Sequence, residues 1–168
     1  YGSYIERADK MVISNNRYDS NGLGLYCYES REINISDNSC MMNRKEGIFL
    51  FSNFILNCFK NRCDGNGGNG ITYYESLSND NPDDVRLYEN YCSYNNGSGI
   101  GVYGVTSFIN KGNVLYITGN NCSSNNEDGI RISISAILLF ENNYLSNNTY
   151  GLNMADSIVR SDINNNNI

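Results

Sequence analysis

Gly24-Leu25-Tyr26-Cys27-Tyr28-Glu29-Ser30, joined fourteen residues past its glycine by Asn38-Ser39-Cys40-Met41-Met42-Asn43, is one unit of a pattern that runs the length of the chain. Working outward, the glycine returns at Gly2, Gly47, Gly70, Gly99, Gly129 and Gly151, at spacings of 22, 23, 23, 29, 30 and 22 residues. An isoleucine or leucine follows it in six of the seven copies, as Leu25, Ile48, Ile71, Ile100, Ile130 and Leu152. The Asn-flanked signature recurs from Asn16 to Asn21 around Tyr18, Asn61 to Asn66 around Cys63, Asn90 to Asn95 around Cys92 and Asn120 to Asn125 around Cys122. In the next copy it reads as Asn142 to Asn147 around Tyr144. A period in the low twenties marks a stacked repeat, whose units bury their apolar faces only against one another.

Within each unit the apolar residues alternate. The first and third positions after the glycine form the pairs Leu25/Cys27, Ile48/Leu50, Ile71/Tyr73, Ile100/Val102, Ile130/Ile132 and Leu152/Met154. A second set follows as Met11/Ile13, Ile33/Ile35, Leu56/Cys58, Val85/Leu87, Leu115/Ile117 and Ile137/Leu139. Alternation with one face buried is the signature of a strand, and helical periodicity is absent. The Asn-flanked Cys or Tyr supplies a third inward position. The pattern therefore predicts a single all-β domain over residues 1–168, an array of about seven coils with three short strands each. Like strands pair in parallel about 4.8 Å apart. The recurring glycine marks a corner that needs either positive φ or close approach of the next coil.

The Gly-Ile-x-Leu-x-x-Ser stretches, here Gly24 to Ser30, Gly70-Ile71-Thr72-Tyr73-Tyr74-Glu75-Ser76 and Gly129-Ile130-Arg131-Ile132-Ser133, resemble the right-handed parallel β-helix proteins of the pectate-lyase-like superfamily. They are most similar to the loose repeats of NosD-type periplasmic proteins and of bacterial and archaeal surface proteins. The resemblance covers the whole chain. It implies a right-handed single-stranded β-helix and an extracellular or cell-surface location. It does not imply one activity, because such proteins include lyases, hydrolases, epimerases, adhesins and tailspikes.

Composition narrows the function further. The net charge is −6 and Lys and Arg do not cluster, which argues against nucleic acid and anionic membranes as partners. No apolar run reaches the roughly 20 residues of a membrane span. The 31 asparagines fall at fixed phase between apolar positions, so they read as ordered corners rather than a low-complexity tract. A chain that opens on Tyr1 and closes near a coil boundary reads as a segment of a longer protein, with flanking domains or self-association as its protein partners.

Cys40, Cys63, Cys92 and Cys122 share one phase and are expected to form a buried thiol column, with Tyr18 and Tyr144 at its ends. Disulfides between neighbouring coils are disfavoured, because same-direction stacking aims successive Cβ vectors along parallel lines. Without a histidine or a CxxC the chain offers no zinc set, and no metal or cofactor is expected.

The outward positions carry the functional lead. Two and four residues past the glycine stand Tyr26, Phe49 and Thr72, and Tyr28, Phe51, Tyr74 and Tyr103. Three readings of this aromatic stripe stay open: a structural ladder, a self-association surface, or a platform on which pyranose rings lie, with Glu29 and Glu75 taking hydroxyls. Insertions at 77–84 and 104–113 are expected to form a lobe beside it. An enzyme would draw acid/base chemistry from Asp80, Asp83 and Asp84, with positive charge from Lys111 and Arg131. Polygalacturonase-like hydrolases use a Gly-His-Gly element that a chain without histidine cannot supply. The expected function is a non-catalytic solenoid that binds carbohydrate. A polysaccharide-active enzyme and an end-to-end assembly subunit are the alternatives.

Overall fold

The computed structural model describes residues 1–53, 55–75, 84–104, 114–133, 137–155 and 160–168. Numbered in chain order, the odd strands β1 (Ser3–Glu6), β3 (Leu25–Tyr28), β5 (Ile48–Phe51), β7 (Ile71–Glu75), β9 (Ile100–Gly104), β11 (Asp128–Ser133) and β13 (Tyr150–Ala155) form one parallel sheet in that order. The even strands β2 (Lys10–Ser14), β4 (Glu32–Ser36), β6 (Ile55–Phe59), β8 (Asp84–Tyr88), β10 (Val114–Thr118), β12 (Ile137–Glu141) and β14 (Arg160–Asn164) form the second. The expected third strand is reduced to one parallel bridge per coil, running Arg17, Ser39, Arg62, Tyr91, Asn121, Tyr144, Asn167. All six bridges link neighbouring coils, so the wound parallel solenoid is complete on its third side.

The core is a set of like-on-like columns between these three sides. Leu25, Ile48, Ile71, Ile100 and Ile130 stack in register and have no exposed surface. Ile35, Cys58, Leu87, Ile117 and Phe140 do the same on the second sheet. The column expected to hold Ile137 and Leu139 instead holds Leu138, and the next one Phe140, both buried. A slip of one residue exchanges the faces of a strand. The run Ile137-Leu138-Leu139-Phe140 is apolar at every step, so its own pattern carries no phase. Stacking on Leu115 and Ile117 selects the phase.

The same slip continues along that coil. Tyr144 is the bridge residue and is exposed, while Leu145 takes the place in the thiol column. The signature there is Asn143-x-Leu145-x-x-Asn148, not Asn142 to Asn147 around Tyr144. Doubled asparagines at both ends make the two readings equal in sequence.

Two asparagine ladders fix the register of the coils. Asn16, Asn38, Asn61, Asn90, Asn120, Asn143 and Asn166 form the first. Each donates its backbone N–H and its Nδ2 to the Oδ1 of the next, at 2.9–3.1 Å. From Asn38 onward each Nδ2 also reaches a backbone carbonyl of the preceding coil, as Asn61 does to Ile35 at 3.0 Å. Asn21, Asn43, Asn66, Asn95, Asn125 and Asn148 form the second ladder. Buried polar groups are thereby satisfied along the stack rather than within a coil.

The residue before each rung has left-handed backbone, as at Asn15, Asp37, Lys60, Glu89, Gly119, Asn142 and Asn165. The recurring glycines do not. Their requirement is close approach: a Cβ on Gly47 would lie 2.7 Å from the carbonyl oxygen of Gly70, and one on Gly24 would lie 2.3 Å from that of Gly47.

Candidate functional site

The outer face of the first sheet carries two rows set by strand register. One runs Tyr4, Tyr26, Phe49, Thr72, Gly101, Arg131, Asn153. The other runs Glu6, Tyr28, Phe51, Tyr74, Tyr103, Ser133, Ala155. Because parallel strands repeat the same pleat, every aromatic of a row projects from an equivalent backbone position.

The two rows differ in ring geometry. Tyr28 and Phe51 stack at 5.1 Å and 16°, and Phe51 and Tyr74 at 5.4 Å and 7°. The faces of Phe51 are therefore both covered by neighbours, and the stack offers mainly ring edges to solvent. In the other row Tyr4 meets Tyr26 at 71° and Tyr26 meets Phe49 at 84°, each pair 5.2 Å apart. Near-perpendicular pairs turn at least one ring of each off the stacking axis, so this row does not close into a face-to-face stack. Tyr1 lies against Tyr26 at 5.7 Å and 26°.

Tyr103 departs from its expected place on the stripe. Its ring folds sideways over Gly101, where a Cβ would lie 2.5 Å from Cε2, and its hydroxyl accepts from Asn69 Nδ2 at 3.4 Å. Asn69 also donates to Thr72 Oγ1 at 3.0 Å, and Thr72 is buried. The row of tilted rings is thus closed off below Phe49.

The two glutamates expected beside the rings part company. Glu29 lies at the surface, where Tyr28 and Arg7 hydrogen-bond its carboxylate and hold its pKa below the ordinary value. Glu75 points inward and is 2 % exposed. Tyr73 donates its hydroxyl to Glu75 Oε2 at 2.5 Å, and burial pushes the Glu75 pKa up to about 7. It takes no part in the outer face. Arg131 lies on the outer face but leans on buried Asp128, with Nη1 3.8 Å from Oδ2. Asp80, Asp83 and Lys111, with nearly all of both insertions, lie outside the described residues, as does the side chain of Asp84.

The tilted rings border a cleft of about 500 Å³. Tyr1, Tyr26 and Phe49 line one side, and Arg44, Lys45 and Glu46 line another. Leu23, Gly67 and Gly68 complete it, and the third coil's corner contributes backbone only. The cleft lies at the start of β5 and β7, at the opposite end of the strands from the expected lobe. Sequence reasoning missed Arg44 and Lys45, although they are the one adjacent pair of basic residues in the chain.

A family model described as "Right handed beta helix region" matches residues 1–82. The chain is a right-handed β-helix repeat protein. No curated protein and no solved structure matches it. The matched part of the β-helix contains both aromatic stacks and every residue of the cleft.

Inside the β-helix all six cysteines are free and buried. Cys40, Cys63, Cys92 and Cys122 neighbour one another from coil to coil. The neighbouring Cys63 thiol, with burial, raises the pKa of Cys40, and burial raises Cys63 and Cys92. Burial likewise pushes Cys27 up to about 12. Such thiols stay protonated and closed to reagents, so their role is packing. Among the described residues no group of His, Cys, Asp and Glu is placed to hold a metal ion.

Proposed function

We propose that this β-helix is a non-catalytic, extracellular or cell-surface solenoid that binds carbohydrate where the tilted rings meet the cleft. The observation that carries the reading is the contrast between the two rows. Among the described rings of the two rows, Tyr26 and Phe49 meet edge to face instead of joining a face-to-face stack, and these two border a concavity. A pyranose presents one apolar C–H face and a rim of hydroxyls. Aromatic rings outside a face-to-face stack suit the first, and Arg44, Lys45, Glu46 and the backbone at Gly67 and Gly68 suit the second. The scaffold adds pre-organisation, because strand register holds the rings before a ligand arrives.

Affinity-gel electrophoresis and a glycan array test this. Binding is expected for the wild type and for Tyr28→Ala/Tyr74→Ala, and to be lost in Tyr26→Ala/Phe49→Ala. Equal binding by the two double variants would sink the proposed site. No binding by the wild type to any glycan would sink the function.

A further inference from the structure

Resting on that carbohydrate reading, we infer that the cleft selects sugars bearing an anionic substituent, a carboxylate or a sulfate, held by Arg44 and Lys45.

The observation is how the positive charge is used. In a chain of net charge −6, basic side chains have carboxylates in excess to pair with. Arg7, Lys10 and Arg17 pair with Glu29, Glu32 and Asp19. Arg31, Lys60 and Arg62 pair with Asp9, Glu89 and Asp64, and Arg131 with Asp128. Arg86 lies over the Tyr116 ring at 5.0 Å. Among the described residues, Arg44 and Lys45 alone of the basic side chains have neither a carboxylate nor a ring partner, and both are at the cleft.

Glu46 lines the same cleft but forms no ion pair with either. Its carboxylate is drawn over the neighbouring corner, with Oε1 3.1 Å from where a Gly68 Cβ would stand. The other acids of this face are at the far end of the strands and engaged there. Glu6 accepts from the Tyr4 hydroxyl at 3.1 Å, and Glu29 from Arg7 at 3.2 Å. A ligand on Tyr26 and Phe49 therefore meets two unpaired cations on the cleft side and committed carboxylates on the other. Arginine can take a carboxylate or sulfate through two parallel hydrogen bonds, and lysine adds a point charge.

The test compares a β-1,4-linked glucose hexamer with the same hexamer oxidised to carboxylate at C6, and with its 6-O-sulfated form, by calorimetry. The charged hexamers are expected to bind about tenfold tighter than the neutral one at low salt, the equivalent of one charge-assisted hydrogen bond. That advantage is expected to shrink as salt rises from about 0.05 M to about 0.5 M. In Arg44→Gln/Lys45→Gln the advantage should disappear, the charged hexamers then binding no tighter than the neutral one. Both side chains are exposed, and an unchanged melting temperature checks that the fold is intact. Equal wild-type affinity for all three hexamers would overturn this inference and leave carbohydrate binding standing. An advantage that survives the double variant would overturn it too. Failure of all three to bind would overturn this inference, and the glycan array decides carbohydrate binding separately.

Discussion

Two rows of aromatic side chains stand two residues apart on the same strands, and they do opposite things. Tyr28, Phe51 and Tyr74 close on one another, face to face, while Tyr4, Tyr26 and Phe49 meet edge to face. Residue type does not separate them, nor does strand register. Their flanks do. The stacked row adjoins the corner that carries Glu29 and Ser52, whereas the tilted row adjoins a corner opened by Gly67 and Gly68. Tyr103 then folds over Gly101 and seals the tilted row from one side only. A repeating scaffold can thus place chemically alike columns side by side and make one structural and the other available.

The comparison depends first on register, and Asn61→Ala would break it most. The substitution removes the Oδ1 that accepts from the backbone and side chain of Asn38, and the donor to Ile35 and Asn90. Leaving buried groups unmatched at about 1–3 kcal/mol each predicts a loss of at least about 3 kcal/mol in urea unfolding, with both rows disordered. A loss under about 1 kcal/mol would mean that the ladders do not set the register.

Glu75 sharpens the contrast from beneath the stacked row. Its ionised form is disfavoured in the fold, with the pKa raised from 4.5 to about 7. The associated stability is complete below pH 4.5, declines as pH rises toward about 7, and is absent above it. The shift corresponds to about 3 kcal/mol. Glu75→Gln is expected to raise stability at pH 8 by about 2–3 kcal/mol and to flatten the profile between pH 5 and pH 7. A mutant profile parallel to the wild type would place the titration elsewhere.

Phe51→Ala removes the ring that is covered on both sides and should cost about 2 kcal/mol in thermal unfolding, with glycan affinity unchanged. Tyr4→Ala, at the exposed end of the tilted row, should cost less than about 1 kcal/mol. Equal costs would erase the distinction between a stacked row and a tilted one. The smallest effect belongs to the thiols, which are all buried inside the solenoid. An aromatic disulfide reagent should label none of them in the folded protein and all six in denaturant.

Much of this was legible in the chain. The glycine spacing and the alternation after it located the coils, the inward pairs and the two outward rows. The reading failed where a stretch is uniform over the period that matters. Ile137-Leu138-Leu139-Phe140 and the doubled asparagines at 142–143 and 147–148 are compatible with two phases, and only neighbouring columns chose between them. The outward direction of Glu75 was misread for a related reason. Inward alternation continues one step past the apolar pair, and nothing in a lone glutamate marks the burial that Tyr73 makes tolerable.

What the sequence by itself determined is the period, and with it the solenoid, its buried thiol column and its aromatic rows. Those follow from local alternation repeated at fixed spacing, which has one way of burying its apolar face. What only the tertiary structure decided is the tilt of one row against the other, the cleft, and that Arg44 and Lys45 form no ion pair among the described residues. These depend on residues brought together from successive coils across a corner without side chains, and sequence spacing fixes which residues are neighbours without fixing how much room lies between them.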